Sequence, residues 1–131
     1  MEGLSDPALL QVAEYFQALS EPTRLQILNL LRHQERKVGE LAELCGYSAA
    51  NVSRHLSLLQ QRGLVRRESR GTSAYYRIAD ASVYELCDLV CGHIARQSAG
   101  LLRERADFFA RSRSAAPSSG GAKALVSKPK R

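Results

Sequence analysis

Two glycines, Gly46 and Gly63, constrain this chain more than any other feature, because each follows a segment whose apolar residues repeat at helical spacing. Residues 38–45 (VGELAELC) direct Val38, Leu41, Ala42 and Leu44 to the inward side of a short helix. Gly46 can close that helix, since glycine accepts the left-handed conformation that a helix end demands. Tyr47 follows, and Ser48 offers a side-chain oxygen to cap a second helix that runs to about Arg62. Val52, Leu56 and Leu59 recur at i, i+4 and i+7 and mark its inner face, and Gly63 is the matching stop. Two helices joined by a tight turn containing glycine form a helix-turn-helix pattern.

Past Gly63 the apolar period changes. Residues 64–69 (LVRRES) and 73–78 (SAYYRI) are strand candidates separated by Arg70-Gly71-Thr72, which predicts a β-hairpin. A lone hairpin is marginal, so it must pack on the helices. Upstream, residues 7–19 read as an amphipathic helix with Pro7 in its first turn. Ser20 is placed to cap a second helix over about Glu21 to His33, and Gln34-Glu35-Arg36-Lys37 reads as a connection. Downstream, Asp80 is placed to cap a long helix over about Ala81 to Arg111. Its stripe is Val83, Leu86, Cys87, Val90 and Ile94, extended by Leu101, Leu102, Phe108 and Phe109, with Gly92 and Gly100 as weak points. The expected fold is therefore mainly α with a small β-hairpin, in the order α-α-α-α-β-β-α, a winged helix-turn-helix. Residues 1–111 form the folded domain, and 112–131, rich in Ser, Ala, Gly, Pro and Lys, form a flexible basic tail.

A chain of 131 residues with 44% apolar content suits one globular domain with a real core. No apolar run approaches the roughly 20 residues needed to span a bilayer. The start, MEGLSDPALL, lacks the pattern of a secretory signal, so a cytoplasmic protein with no membrane partner is expected. Cys45, Cys87 and Cys91 are too few for a disulfide framework and read as thiols, metal ligands or redox sensors. The formal charge of +6 is concentrated. The tail carries Arg113, Lys123, Lys128, Lys130 and Arg131 with no acid. Residues 48–77 carry Arg54, Arg62, Arg66, Arg67, Arg70 and Arg77 against Glu68 alone. A basic block inside a nearly neutral domain indicates a polyanion-binding face. A thiol enzyme using Cys91 and His93 is disfavoured, because residues two apart on a helix diverge and no oxyanion-forming turn lies nearby. An architectural, inducer-independent DNA binder is the alternative that the basic tail keeps open.

The strings ALSEPTRLQILNLL (18–31), VGELAELCGYSAANVSRHLSLLQQRGLV (38–65) and RGTSAYYRI (70–78) closely resemble the ArsR/SmtB family of winged helix-turn-helix repressors, over about residues 8–95. The resemblance implies that residues 48–62 are a recognition helix in the major groove. Ser48, Ala49, Asn51, Ser53, Arg54 and Ser57 would face the DNA, Arg54 suited to a guanine edge and Asn51 to adenine. Ser48, Ser53 and His55 would hold phosphates or pack locally. Arg66, Arg67, Arg70 and Thr72 on the hairpin would hold flanking phosphates or reach the minor groove. It also implies a homodimer paired through the first and last helices, hence an inverted-repeat operator in double-stranded DNA. Repression follows family habit, and activation stays open.

Family members release DNA when an inducer binds. The cysteine site at the start of the helix before the turn is absent, since Lys37-Val38-Gly39-Glu40-Leu41 holds no cysteine. Asp80 and His93 have the spacing of half a zinc site, but Ser82 and Arg96 stand where its other ligands belong. What remains is Cys87 and Cys91, at i and i+4 on one helix face with Cβ atoms about 6 Å apart. Two thiolates there suit As(III), Sb(III) or Cd(II), with a third ligand from Cys45, His93 or the partner subunit. The same pair would also suit an oxidant- or reactive-sulfur-responsive repressor.

Overall fold

A computed structural model describes residues 1–115, and within 101–115 it describes the side chains of Arg103, Asp107 and Ala110 only. The elements are α1 (Asp6–Ala18), α2 (Pro22–Leu30), β1 (Arg36–Lys37), α3 (Val38–Cys45), α4 (Ala49–Gln61), β2 (Val65–Arg70), β3 (Ser73–Ile78) and α5 (Ser82–Ala115). They fall into two compact units, one ending at Val83 and one beginning at Tyr84 within α5. The fold is the expected mainly helical winged helix-turn-helix, with one strand more than the sequence reading gave.

Helix ends in the first unit are set by side chains and glycines. Ser5 Oγ accepts from the Ala8 N–H at 3.4 Å and starts α1. The cap of α2 is the Glu21 carboxylate, which accepts from the Arg24 N–H at 3.0 Å. Ser20, expected in that role, donates its hydroxyl to the Gln17 carbonyl at 2.6 Å and so finishes α1 instead. At α3 the Lys37 N–H donates to Glu40 Oε1 at 3.2 Å. Gly46 then ends α3 with φ +73°, and its N–H and that of Tyr47 both reach the Ala42 carbonyl. Ser48 Oγ accepts from the Asn51 N–H at 3.1 Å and opens α4, which Gly63 (φ +73°) terminates.

The core of this unit lies between α2, α3, α4 and the root of the sheet. Ile27, Leu41, Val52, Leu56 and Leu59 are fully covered, and Leu31, Cys45, Leu64, Val65, Tyr76 and Val83 close around them. Cutting a side chain such as Leu56 to alanine in such a core costs about 2–5 kcal/mol. Leu44, expected to face inward, is 49% exposed. The reason is angular: Leu41, Ala42 and Cys45 fill the buried arc of the eight-residue α3, and Leu44 sits about 100° round from its middle.

The sheet is antiparallel, in the order β1-β3-β2. Arg36 and Lys37, expected as connection, pair with Tyr76 and Tyr75 of β3. The β2–β3 turn is tighter than the expected three-residue loop, because Arg70 pairs with Ser73 and leaves only Gly71-Thr72 between them. Gly71 has φ +60° and Thr72 does not have positive φ. That combination is the type II′ geometry that matches strand twist and favours glycine at its first central position.

In the second unit α5 is one continuous helix to Ala115, and neither Gly92 nor Gly100 interrupts it. Its start is fixed by Asp80 Oδ1, which accepts from the Ser82 N–H at 2.9 Å; this bond holds the Asp80 carboxyl below its ordinary pKa. Residues 112–115, read from composition as tail, belong to the helix; 116–131 lie outside the described residues, as do the side chains of Leu101, Leu102, Phe108 and Phe109. Leu89, Val90 and Ile94 are 73%, 46% and 53% exposed. In the first unit, α1 leaves Leu9, Leu10 and Phe16 exposed. Among the described residues no helix is long and apolar enough to cross a membrane.

Arg24 ties three helices of the first unit together. Its Nε donates to the Ala18 carbonyl at 2.7 Å and its Nη2 to the Gln17 carbonyl at 3.1 Å, both at the end of α1. Its Nη1 lies 3.3 Å from Nδ1 of His55 on α4, which also has the α2 cap residue Glu21 at 3.9 Å. Nδ1 can accept from Arg24 only in the neutral imidazole. Burial pushes the His55 pKa below 6.5; Glu21 opposes that shift, and Arg24 and Arg54 add to it. Between 6.5 and this lower value the unfolded chain binds a proton that the folded chain refuses, so stability must fall as pH falls through that window. We expect the urea midpoint of the wild type to drop on acidification from pH 7.5 toward 5 more than that of His55→Asn, whose amide stands in for Nδ1 without titrating. Equal pH dependence in the two proteins, at one fixed concentration, would show that His55 contributes nothing to it.

Candidate nucleic-acid interface

Because Val52, Leu56 and Leu59 are turned fully inward, the opposite side of α4 is fixed as the outward one. Ala50, Arg54 and Ser57 are exposed there, with Ser53 half-buried at the edge and Ser48 and Ala49 exposed at the capped end. Ala50 was missed in the sequence reading, although its position four residues before Arg54 and seven before Ser57 puts it on the same face. Asn51 was expected to point outward, but it is 7% exposed. It lies about 100° from Val52 on the flank of the buried arc, and its Oδ1 accepts from Arg54 Nη2 at 2.7 Å. The Asn51 amide thus meets the one guanidinium on the outward face of α4. His55 is turned to Arg24 rather than outward, the local packing alternative of the sequence reading.

The hairpin splits the arginines between its two faces. Residues paired across an antiparallel ladder share a face, so Val65, Arg67 and Ser69 lie with Ile78, Tyr76 and Ala74. Val65 and Tyr76 make this the core side at its root, and Arg67 and Ser69 extend past the core, where Arg67 Nη1 donates to Ser69 Oγ at 3.0 Å. Arg66, Glu68 and Arg70 share the other face with Arg77, Tyr75, Ser73 and, through β1, Lys37. Arg66, Arg67, Arg70 and Thr72 are all exposed.

Composition overstates the positive charge available. Arg62 donates to Glu14 Oε2 at 3.0 Å, linking α4 to α1. Arg70 meets both Glu35 and Glu68. Arg54, Arg66 and Arg67 make no ion pair among the described residues. With Arg77 of β3, which is also exposed, they are the cations on α4 and the hairpin for which the described residues show no carboxylate partner.

Cys45 is sealed in the core at 1% exposure. Cys87 is half-buried and Cys91 is exposed, one turn apart on α5. His93 is exposed on the same helix. Among the described residues no three His, Cys, Asp or Glu side chains gather into a metal site.

The family model described as bacterial regulatory protein, arsR family, matches residues 21–67, which hold α2, β1, α3, α4 and the start of β2. The HTH-type transcriptional regulator KmtR of Mycobacterium tuberculosis is 40% identical over 85 residues, 65% of each chain. The aligned part thus falls just short of two thirds of that relative's length. The homodimeric winged helix-turn-helix DNA-binding domain of Mb0332 from Mycobacterium bovis, a possible ArsR-family transcriptional regulator solved as fragment 1–100, is 39% identical, with a TM-score of 0.63. The match covers 74% of this chain and 95% of that one. The AntR antimony-specific transcriptional repressor is 27% identical with a TM-score of 0.63, covering 75% of this chain and 89% of that one. By fold, by the sequence of its helix-turn-helix and by these relatives, the chain belongs to the ArsR family of bacterial regulatory proteins.

Proposed function

We propose that this chain is a homodimeric transcriptional repressor that binds an inverted-repeat operator in double-stranded DNA through α4 and the hairpin. The observation that carries the reading is the outward face of α4. Ala50, Ser53, Arg54 and Ser57 stand opposite a fully buried apolar stripe, on a 13-residue helix, with unpaired Arg66 and Arg67 on the adjoining hairpin. Small residues at positions 49, 50, 53 and 57 let a helix lie close to base edges, and Arg54 supplies the fork that reads guanine. Asn51 serves Arg54 rather than reading a base itself. Arg66, Arg67 and Thr72 supply backbone contacts from the hairpin. The exposed Leu9, Leu10 and Phe16 of α1 and Leu89, Val90 and Ile94 of α5 supply apolar surface for a second copy, and the related Mb0332 domain is homodimeric.

The inducer we propose is a thiophilic metal or metalloid, As(III), Sb(III) or Cd(II), held by Cys87 and Cys91. The exposed Cys91 thiol is reachable from solvent, and AntR, described as antimony-specific, shares the fold and sequence relationship. No third ligand is gathered with the pair among the described residues, and the site we propose is completed from the partner subunit or by solvent. Binding shifts α5 against its partner and changes the spacing of the two recognition helices. A coupling of a few kcal/mol suffices to release the operator.

Two experiments test these readings. On an operator selected from a randomised pool, Arg54→Ala should lose about 10- to 100-fold in affinity, the value of one good base contact. Asn51→Ala should lose less, and adding it to Arg54→Ala should cost nothing further. Full additivity would show that Asn51 acts apart from Arg54, and an unchanged Arg54→Ala would remove α4 from the interface. Separately, arsenite, antimonite, cadmium and peroxide are titrated into the preformed complex of wild type and of Cys87→Ser/Cys91→Ser. Release of wild type alone by a metal supports the sensor, and release by peroxide alone moves it to the redox reading. A double variant that responds like wild type ends the cysteine proposal.

A further inference from the structure

The hairpin arginine nearest the turn is already occupied. Arg70 Nη1 and Nη2 face Glu35 Oε1 and Oε2 as a fork on a carboxylate, the second bond at 2.8 Å. Nη2 also reaches Glu68 Oε2 at 2.9 Å. The same guanidinium lies 4.6 Å from the centre of the Tyr75 ring, with Lys37 Nζ 5.3 Å from it. Glu35 comes from the segment before β1 and Glu68 from β2, so two separate parts of the chain converge on one cation. The group formed by Glu35, Glu68 and Arg70 carries a net negative charge in the middle of the basic block.

A guanidinium fork binds a carboxylate and a phosphate with the same N–H geometry, so Arg70 cannot hold both in full. The pairs are surface-exposed, with side-chain exposures of 44% for Arg70, 34% for Glu35 and 46% for Glu68. Isolated exposed pairs add little net stability, whereas a bidentate fork shared by two acids also braces the hairpin, a role that the variants below separate from control of Arg70. The hydrogen bond from Arg70 and its charge hold the Glu68 carboxyl below its ordinary pKa.

We propose that Glu35 and Glu68 are specificity-setting residues of the DNA face: they hold Arg70 away from phosphate and so keep sequence-independent affinity low. This inference rests on the DNA-binding reading above. Phosphate contacts raise affinity for every duplex alike, whereas base contacts raise it for one. Withholding one guanidinium therefore widens the gap between operator and random DNA, while Arg54, Arg66 and Arg67 stay available.

The test compares wild type, Glu35→Gln/Glu68→Gln, Arg70→Gln and the triple variant on the selected operator and on a scrambled duplex, across a salt series. The double variant should bind the scrambled duplex roughly three- to tenfold more tightly. Its log–log salt slope should be steeper by about one unit, as one added phosphate contact requires. Its preference for the operator should shrink. Adding Arg70→Gln should return affinity and slope to near wild type, and Arg70→Gln alone should change the wild type little. A double variant that gains nothing, or binds more weakly, overturns the proposal, because the acids would then only brace the hairpin. A triple variant as tight as the double also overturns it, since the gain would be long-range charge rather than release of Arg70. Wild type with no salt-dependent affinity for either duplex defeats the DNA-binding reading itself, an outcome distinct from both.

Discussion

The burial of Val52, Leu56 and Leu59 fixes the rotation of α4 about its own axis, and that rotation decides which side chains α4 can offer to anything outside the molecule. A shift of one residue would turn the helix by about 100° and replace Arg54 with Ser53 or His55 at the centre of the outward face. Two devices prevent it. Gly46 and the Ser48 cap fix where the helix begins, and Arg24 holds His55 from α2. The same arginine binds the last carbonyls of α1, so the position of α4 and the path of the chain into α2 are set by one cation. Position on the surface is thus a consequence of packing underneath it.

Electrostatics refine what packing provides. Counting arginines over residues 48–77 suggests a uniformly positive surface, but ion pairs divide them into working groups. Arg62 is spent on joining α4 to α1 through Glu14. Arg70 is held in a carboxylate fork at the hairpin. Arg54 is oriented by a neutral amide, which fixes its direction without cancelling its charge. Uncommitted cations on the hairpin are then Arg66 and Arg77 on one face and Arg67 on the other. A site arranged this way owes less of its affinity to bulk charge and more to the geometry of a few groups. That is the condition under which a regulator finds one sequence among many.

Much of this was legible in the sequence, and the exceptions share a cause. The glycine stops at 46 and 63, the Ser48 cap and the α4 stripe follow from interactions within a few residues and stand where the spacing placed them, while the hairpin forms as expected but with a turn one residue shorter. The strand at Arg36–Lys37 was not legible, because two polar residues carry no period and form a strand only when β3 is beside them. Nor was the cap of α2, since Glu21 and Ser20 both present an oxygen and only the geometry chooses. The inward Asn51 and outward Ala50 could have been read by taking the Val52–Leu56–Leu59 stripe as the sole reference for the wheel, without assuming that a polar residue points out. The pairs Arg70–Glu35, Arg62–Glu14 and Arg24–His55 join positions far apart in sequence, and no local pattern announces them.

The placement of the cysteines has its own logic in the exposure profile of α5. Val83 is 1% exposed, Leu86 and Cys87 are half-buried, and Leu89 is 73% exposed. Within less than two turns the helix passes from full cover to almost none, while its apolar residues continue. Where the described residues no longer cover it, the helix stays apolar, and in the proposed dimer that surface meets the partner. A ligand bound beyond that point would act between copies and leave the core of each intact. One bound at Val83 would have to break the core to be felt. Cys87 and Cys91 straddle the transition, one half-covered and one open. In the proposed sensor, strain from a bound soft ion would there fall on the α5 pairing of the proposed dimer, and through it on the separation of the two α4 faces. Cys45, at 1% exposure beside the turn into α4, is the contrasting case: any ion reaching it would have to unpack the helix-turn-helix itself, so its thiol is suited to packing rather than to reversible sensing.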